Sequence, residues 1–179
     1  TTKPGGLLKH QIPIRTFADW DDTQAGFVEI DLVAHCGDNV TGPFLYSFTA
    51  TDVATGWTEC FGLRHRSQIA VHEALDKLHA RLPFPLLGID SDNDSVFINE
   101  LMLKYCQTNQ ITFTRCRPYK KNDQCFVEQK NWSIVRRTIG YQRYESEAAQ
   151  HLLEEIYAAL HLYTNLFQPT FKLKRKTRT

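Results

Sequence analysis

The hydrophobic pattern of this chain changes period once, and that change limits the folds open to it. Through residue 63 apolar side chains alternate, as in strands with one face on a core. From Ser67 onward they recur at Val71, Leu75, Leu78 and Leu82, the spacing of a helix. The first strand is GFVEIDLVA, residues 26–34, with Val28, Ile30, Leu32 and Ala34 on one face and Phe27, Glu29, Asp31 and Val33 on the other. VTGPFLYSFTATD and ATGWTECFGL supply two more strands, parted by turn residues between Asp52 and Gly56. The helix that follows is capped by Ser67 and stopped by Pro83 and Pro85.

Strands and helices then alternate. Residues 86–89 read as a short strand ending in DSDNDS, and FINELMLKYCQTN reads as a helix with Phe97, Leu101 and Tyr105 aligned. Residues 111–113 read as a strand, RPYKKNDQ as a loop, and residues 126–138 as a helix ended by Gly140. A last helix over 146–163 carries an apolar stripe of Ala149, Leu152, Leu153, Ile156, Leu160 and Tyr163. The order β-β-β-α-β-α-β-α-α predicts an α/β domain with a mixed sheet flanked by helices: a meander first, then crossovers that bring later strands back parallel.

With 179 residues, 42% of them hydrophobic and 12% aromatic, the chain has the makings of one folded domain and not of a disordered one. A net charge of +1 gives no global case for a polyanionic partner. The charge is uneven, because Lys172, Lys174, Arg175, Lys176 and Arg178 end a body that is otherwise mildly acidic. The division expected is a turn-rich, extended lead-in over 1–25, a core over 26–165 and a basic tail over 166–179. No run of eighteen apolar residues and no export signal is present, so no membrane segment is expected. Five cysteines, an odd number without a CxxC pair, favour a reducing compartment, the cytoplasm in a bacterial host. The chain opens at Thr1 and not at Met, as a fragment of a longer protein would.

Three carboxylates stand out by position. Asp31 interrupts an otherwise apolar strand, where a charge is costly unless paired or bound to metal. Asp92 sits at the carboxyl end of the fourth strand, and Glu128 near the start of a helix. Hard oxygen ligands from separate elements are what a site for divalent cations in phosphoryl transfer needs. Glu29, Asp90 and Asp94 are second choices, Asp94 or Ser95 serving equally well as a helix cap. Arg115, Arg117, Lys120 and Lys121 precede Glu128, and Lys130, Arg136 and Arg137 follow it, as candidate contacts to a phosphate backbone. Trp132 is a candidate for base stacking, a core position or a subunit interface, and Trp57 for a subunit interface. His35, Cys36, Cys60 and His65 fit no zinc spacing.

GFVEIDLVAHCG around Asp31, SDNDSVFINE around Asp92 and RPYKKNDQCFVEQKN around Glu128 resemble the catalytic core shared by retroviral integrases and bacterial DDE transposases. Thirty-five residues separate Asp92 from Glu128, the interval usual for that family, and the likeness runs from about Trp20 to Leu173. The resemblance implies a ribonuclease H-like fold with a five-stranded sheet. It also implies a site in which Asp31, Asp92 and Glu128 bind magnesium or manganese, two ions per site. The chemistry implied is cleavage of DNA at mobile-element ends and joining of the 3′ hydroxyl to target DNA, by a dimer or higher oligomer. A nuclease of the same fold and an inactive DNA-binding or assembly module are the alternatives. Asn131 matches the Asn that often follows the catalytic glutamate, in a supporting or DNA-contacting role, and Asn93 matches the residue after the second aspartate. Many relatives have glycine at the position of Asp94, so altered geometry is expected there.

Overall fold

The computed structural model describes residues 6–20 and 23–168. Its centre is a five-stranded sheet of β1 (Phe27–Ala34), β2 (Tyr46–Asp52), β3 (Thr58–Leu63), β4 (Gly88–Ser91) and β5 (Thr112–Arg115). The order across the sheet is β3-β2-β1-β4-β5. β1 pairs antiparallel with β2, and β2 with β3, whereas β1–β4 and β4–β5 are parallel. This is the meander followed by crossovers that the sequence predicts. It places the carboxyl ends of β1 and β4 side by side.

Two helices form the β3–β4 and β4–β5 crossovers. In α2 (Gln68–Arg81) the Ser67 side chain accepts from the Ala70 amide at 3.2 Å, the expected N-cap. α3 (Glu100–Thr108) starts three residues later than the sequence predicts, because Asn99 accepts from the Met102 amide at 2.9 Å and ends the preceding turn. Phe97 is therefore buried from a turn, not from the helix, and α3 seats on Met102, Tyr105 and Cys106 while Leu101 faces outward. Both helices cover one face of the sheet, closing a core of Val28, Ile30, Phe48, Phe61, Ile89 and Phe113 with Val71, Leu75 and Leu78.

The opposite face carries α4 (Cys125–Lys130), a π-helical segment Asn131–Arg136 and α5 (Arg137–Ile139), which run on without a break, and then α6 (Glu147–Leu162). Their smaller core holds Val33, Leu45, Ile134, Val135, Leu153 and Tyr157. α6 is capped by Ser146, and only part of its predicted stripe is covered: Leu153 is buried, whereas Leu152 and Tyr163 are 57% and 58% exposed. The seat is narrow because α6 meets β3 at Gly62, where an added Cβ would lie 3.2 Å from the Leu153 side chain.

The lead-in is not simply extended. It contains α1 (Gly6–Gln11) and a 3-10 turn at Phe17–Asp19, with Ile12 buried in the larger core and Ile14 bridging to Arg115 along the β5 edge. One six-residue helix is too short to register as a periodic pattern. The basic residues Lys172 to Arg178 lie outside the described residues. Among the described residues, no helix is long and apolar enough to cross a membrane.

Candidate active site

A polar row crosses the sheet beneath the site. Cross-strand register aligns Thr58, Thr51, Glu29, Asp90 and Thr114. All five are buried. The Thr114 hydroxyl donates to Asp90 at 2.6 Å, and Glu29 accepts from the Val127 amide at 2.9 Å. Glu29 thereby holds the first turn of α4, where unpaired amides attract a carboxylate. Burial pushes the Glu29 carboxyl up to about 8 and that of Asp90 to about 7. These two second-choice acids thus lie below the cleft, as buried struts under α4 and β5.

One row higher on the same face, Asp31 lies opposite Thr49 on β2. Its Oδ1 accepts from the Leu32 amide and its Oδ2 from the Asn131 Nδ2, both at 2.7 Å. Asn131 opens the π-helical segment, a wider turn of the kind frequent at functional sites. Asp92 follows β4 directly, and its Oδ1 accepts from the Asp94 amide at 2.9 Å. Glu128 follows Val127, the residue that Glu29 fixes, and its side chain is exposed. Asp31, Asp92 and Glu128 line one open cleft of about 490 Å³. Burial raises the Asp31 carboxyl to about 6, with the like charges of Asp92 and Glu128 adding to the rise and the bonds from Leu32 and Asn131 opposing it. Burial also raises Asp92, against the pull of Arg66 and Lys9.

Three carboxylates that repel one another across a cleft form a hard-oxygen donor set suited to magnesium or manganese. A divalent cation would relieve the like-charge crowding at Asp31. Among the described residues, no three His, Cys, Asp or Glu side chains are already gathered as a cage, so the acids share a cleft and not a single point.

The remaining predicted residues divide. Asn93 lines the cleft as a brace: its Nδ2 donates to the Cys116 carbonyl at 2.8 Å and its Oδ1 accepts from Arg115 at 2.9 Å. Lys120 and Arg117 also line it, but Arg117 is held by buried Asp123 through bonds of 2.7 and 2.8 Å and so fixes the loop. The Lys121 side chain lies outside the described residues. Lys130 lies half-buried near Cys60, with burial holding its ammonium below the usual range, and does not line the cleft. At 100° per residue, position 130 is carried 200° round the helix from Glu128. Arg136 donates to the Ala34 carbonyl at 3.1 Å and stacks over Tyr141, bracing the end of β1. Trp57 is half-buried, meets Phe84 and His161 edge-on and donates to Glu59, whereas Trp132 is 58% exposed. Asp94 accepts from the Val96 amide and pairs with Arg66, which offsets the charge it brings where relatives have glycine.

Among the cleft residues that escape the sequence reading are Tyr119 and Lys9. Tyr119 is fully exposed at the tip of the loop, in the left-handed region with φ 62°. Lys9 reaches the cleft from α1. Position in sequence gives no signal for Lys9, because its approach depends on how the lead-in folds back.

Residues 22–121 match the family described as integrase core domain. That span includes Asp31 and Asp92 and ends before Glu128. An uncharacterized protein, y4rM, of Sinorhizobium fredii is 47% identical over 171 residues, covering 96% of this chain and 49% of the relative. The chain therefore spans about half the length of that relative. Among solved structures, the catalytic core domain of BIV integrase superposes with TM-score 0.62 at 17% identity, over 83% of this chain and 88% of that one. A chain of the simian T-cell lymphotropic virus intasome, solved with PP2A regulatory subunit B56 gamma, gives 0.69 at 15% identity over 89% and 53%. The HTLV-2 integrase catalytic core in complex with magnesium, in dimeric form, gives 0.61 at 13% over 84% and 94%. The fold is thus the ribonuclease H-like fold of integrase catalytic cores, as expected.

Proposed function

The chain belongs to the integrase core domain family, and from that premise we propose that it is the catalytic core of a DDE-type polynucleotidyl transferase. It cuts DNA at mobile-element ends and joins the freed 3′ hydroxyl to target DNA. The observation that carries this reading is the convergence of Asp31, Asp92 and Glu128, from β1, the end of β4 and α4, on one cleft. These three carboxylates would hold two magnesium or manganese ions. When bound, such ions stabilise charge on a reacting phosphate and activate the attacking oxygen.

The chain's other residues set the stage. Asn131 fixes the orientation of Asp31 through its 2.7 Å bond, and Glu29 fixes the helix turn that presents Glu128. Asn93 holds the chain just after Asp92 against the end of β5. Lys120 supplies positive charge toward the DNA backbone. The active assembly is a dimer or larger, so that two DNA ends are processed together. The dimeric HTLV-2 core and the simian intasome support that part of the reading by analogy.

The test is cleavage and joining on a labelled disintegration substrate with magnesium or manganese, comparing the wild-type chain with Asp92→Asn and Glu128→Gln. Both substitutions are expected to abolish product while circular dichroism stays unchanged. Product from either variant at the wild-type level removes that residue from the site. Cleavage without any joined product identifies a nuclease instead.

A further inference from the structure

We propose that α1 forms a second wall of the cleft and that Lys9 contacts a phosphate of the DNA strand lying there. The inference rests on the polynucleotidyl transferase reading and adds a binding residue to it. Lys9 lines the same cleft as Asp31, Asp92 and Glu128. It comes from a segment that packs on the other side of the sheet from α4: Leu8 and Ile12 join the core under α2 and α3, whereas α4 runs into the core of the opposite face. The cleft therefore has a cation on each wall, Lys9 on one and Lys120 on the loop leading to α4.

The wall is anchored. Arg115 donates through Nε to the carbonyls of Lys9 and Ile12, both at 3.2 Å, and through Nη1 to Asn93 at 2.9 Å. One guanidinium thus ties the backbone of α1 to the residue after Asp92, and Ile12 is 1% exposed beneath it. The neighbouring cations are committed elsewhere: Arg117 to Asp123 and Arg66 to Asp94. Among the described residues, no carboxylate lies within ion-pair distance of the Lys9 ammonium. A cleft carrying three carboxylates repels a polyanion, and cations on both walls, with Lys9 close enough to act on Asp92, let a strand enter it.

The experiment is equilibrium binding of the full chain to a labelled DNA duplex across a salt series, with Lys9→Gln, Lys9→Arg and the exposed, remote control Lys104→Gln. Lys9→Gln is expected to weaken binding at every salt concentration and to reduce the slope of log affinity against log salt by about 0.9, one phosphate contact. Lys9→Arg restores the slope, and Lys104→Gln leaves it as in wild type. A wild-type slope in Lys9→Gln, or an equal loss in Lys104→Gln, overturns the Lys9 contact alone. Absence of DNA binding by the wild-type chain overturns the transferase reading, and the contact with it.

Discussion

On β1, Val28 and Ile30 enter an apolar core under α2 and α3, while their sequence neighbours Glu29 and Asp31 enter the polar layer under α4. The same division continues across the sheet. One face presents Phe48, Phe61, Ile89 and Phe113, and the other Thr49, Thr51, Asp90 and Thr114. A buried aliphatic or aromatic side chain on the first face contributes about 1.5–3 kcal/mol. On the second face burial works against charge, and Glu29, Asp90 and Asp31 all have raised carboxyl pKa values. One face is closed by the larger apolar core, and the other sets buried acids beside a smaller one.

The largest effect should come from exchanging one atom on the polar face. Asp31→Asn removes a charge that Asp92 and Glu128 oppose, so it should abolish strand cleavage while leaving thermal stability equal to or above wild type. Ile30→Ala, one residue away on the apolar face, should do the reverse. It should cost roughly 2–5 kcal/mol in denaturant unfolding, with the folded fraction still active. Equal destabilisation by the two substitutions would erase the distinction between the faces.

A smaller effect sharpens the comparison through pH. Glu29 and Asp90 release their protons near 8 and 7 in the folded chain, against the usual 4.5 and 3.8. Between those values the folded state binds more protons than the unfolded one, so stability falls as pH rises. In chelator, the contribution of these two groups to the midpoint of unfolding should be full at and below about pH 4 and decline toward pH 8. Glu29→Gln, which keeps an acceptor for the Val127 amide, should flatten the decline. A pH profile unchanged by Glu29→Gln would show that this acid does not titrate as described.

The topology was legible because it depends on period: alternation in β1 to β3, helical spacing in α2 and the Ser67 cap all act locally. Asp31 was legible because a carboxylate in an apolar strand is conspicuous, and Asn131 only through the resemblance to the integrase and transposase cores. What escaped depended on distant register and helix phase. Glu29 and Asp90 become buried struts only when β1 and β4 align them, and Lys130 and Arg136 turn away because of their angle round a helix that widens at Asn131. The lead-in escaped because Lys9 gains its place from the bonds of Arg115, 106 residues away.

Calorimetric titration of manganese into the chain is the most direct measurement of the central claim, that Asp31, Asp92 and Glu128 act together on divalent cations. Wild type should bind, with Asp92→Asn and Glu128→Gln each losing most of the heat at an unchanged melting temperature. Undiminished manganese binding in both variants would contradict the account.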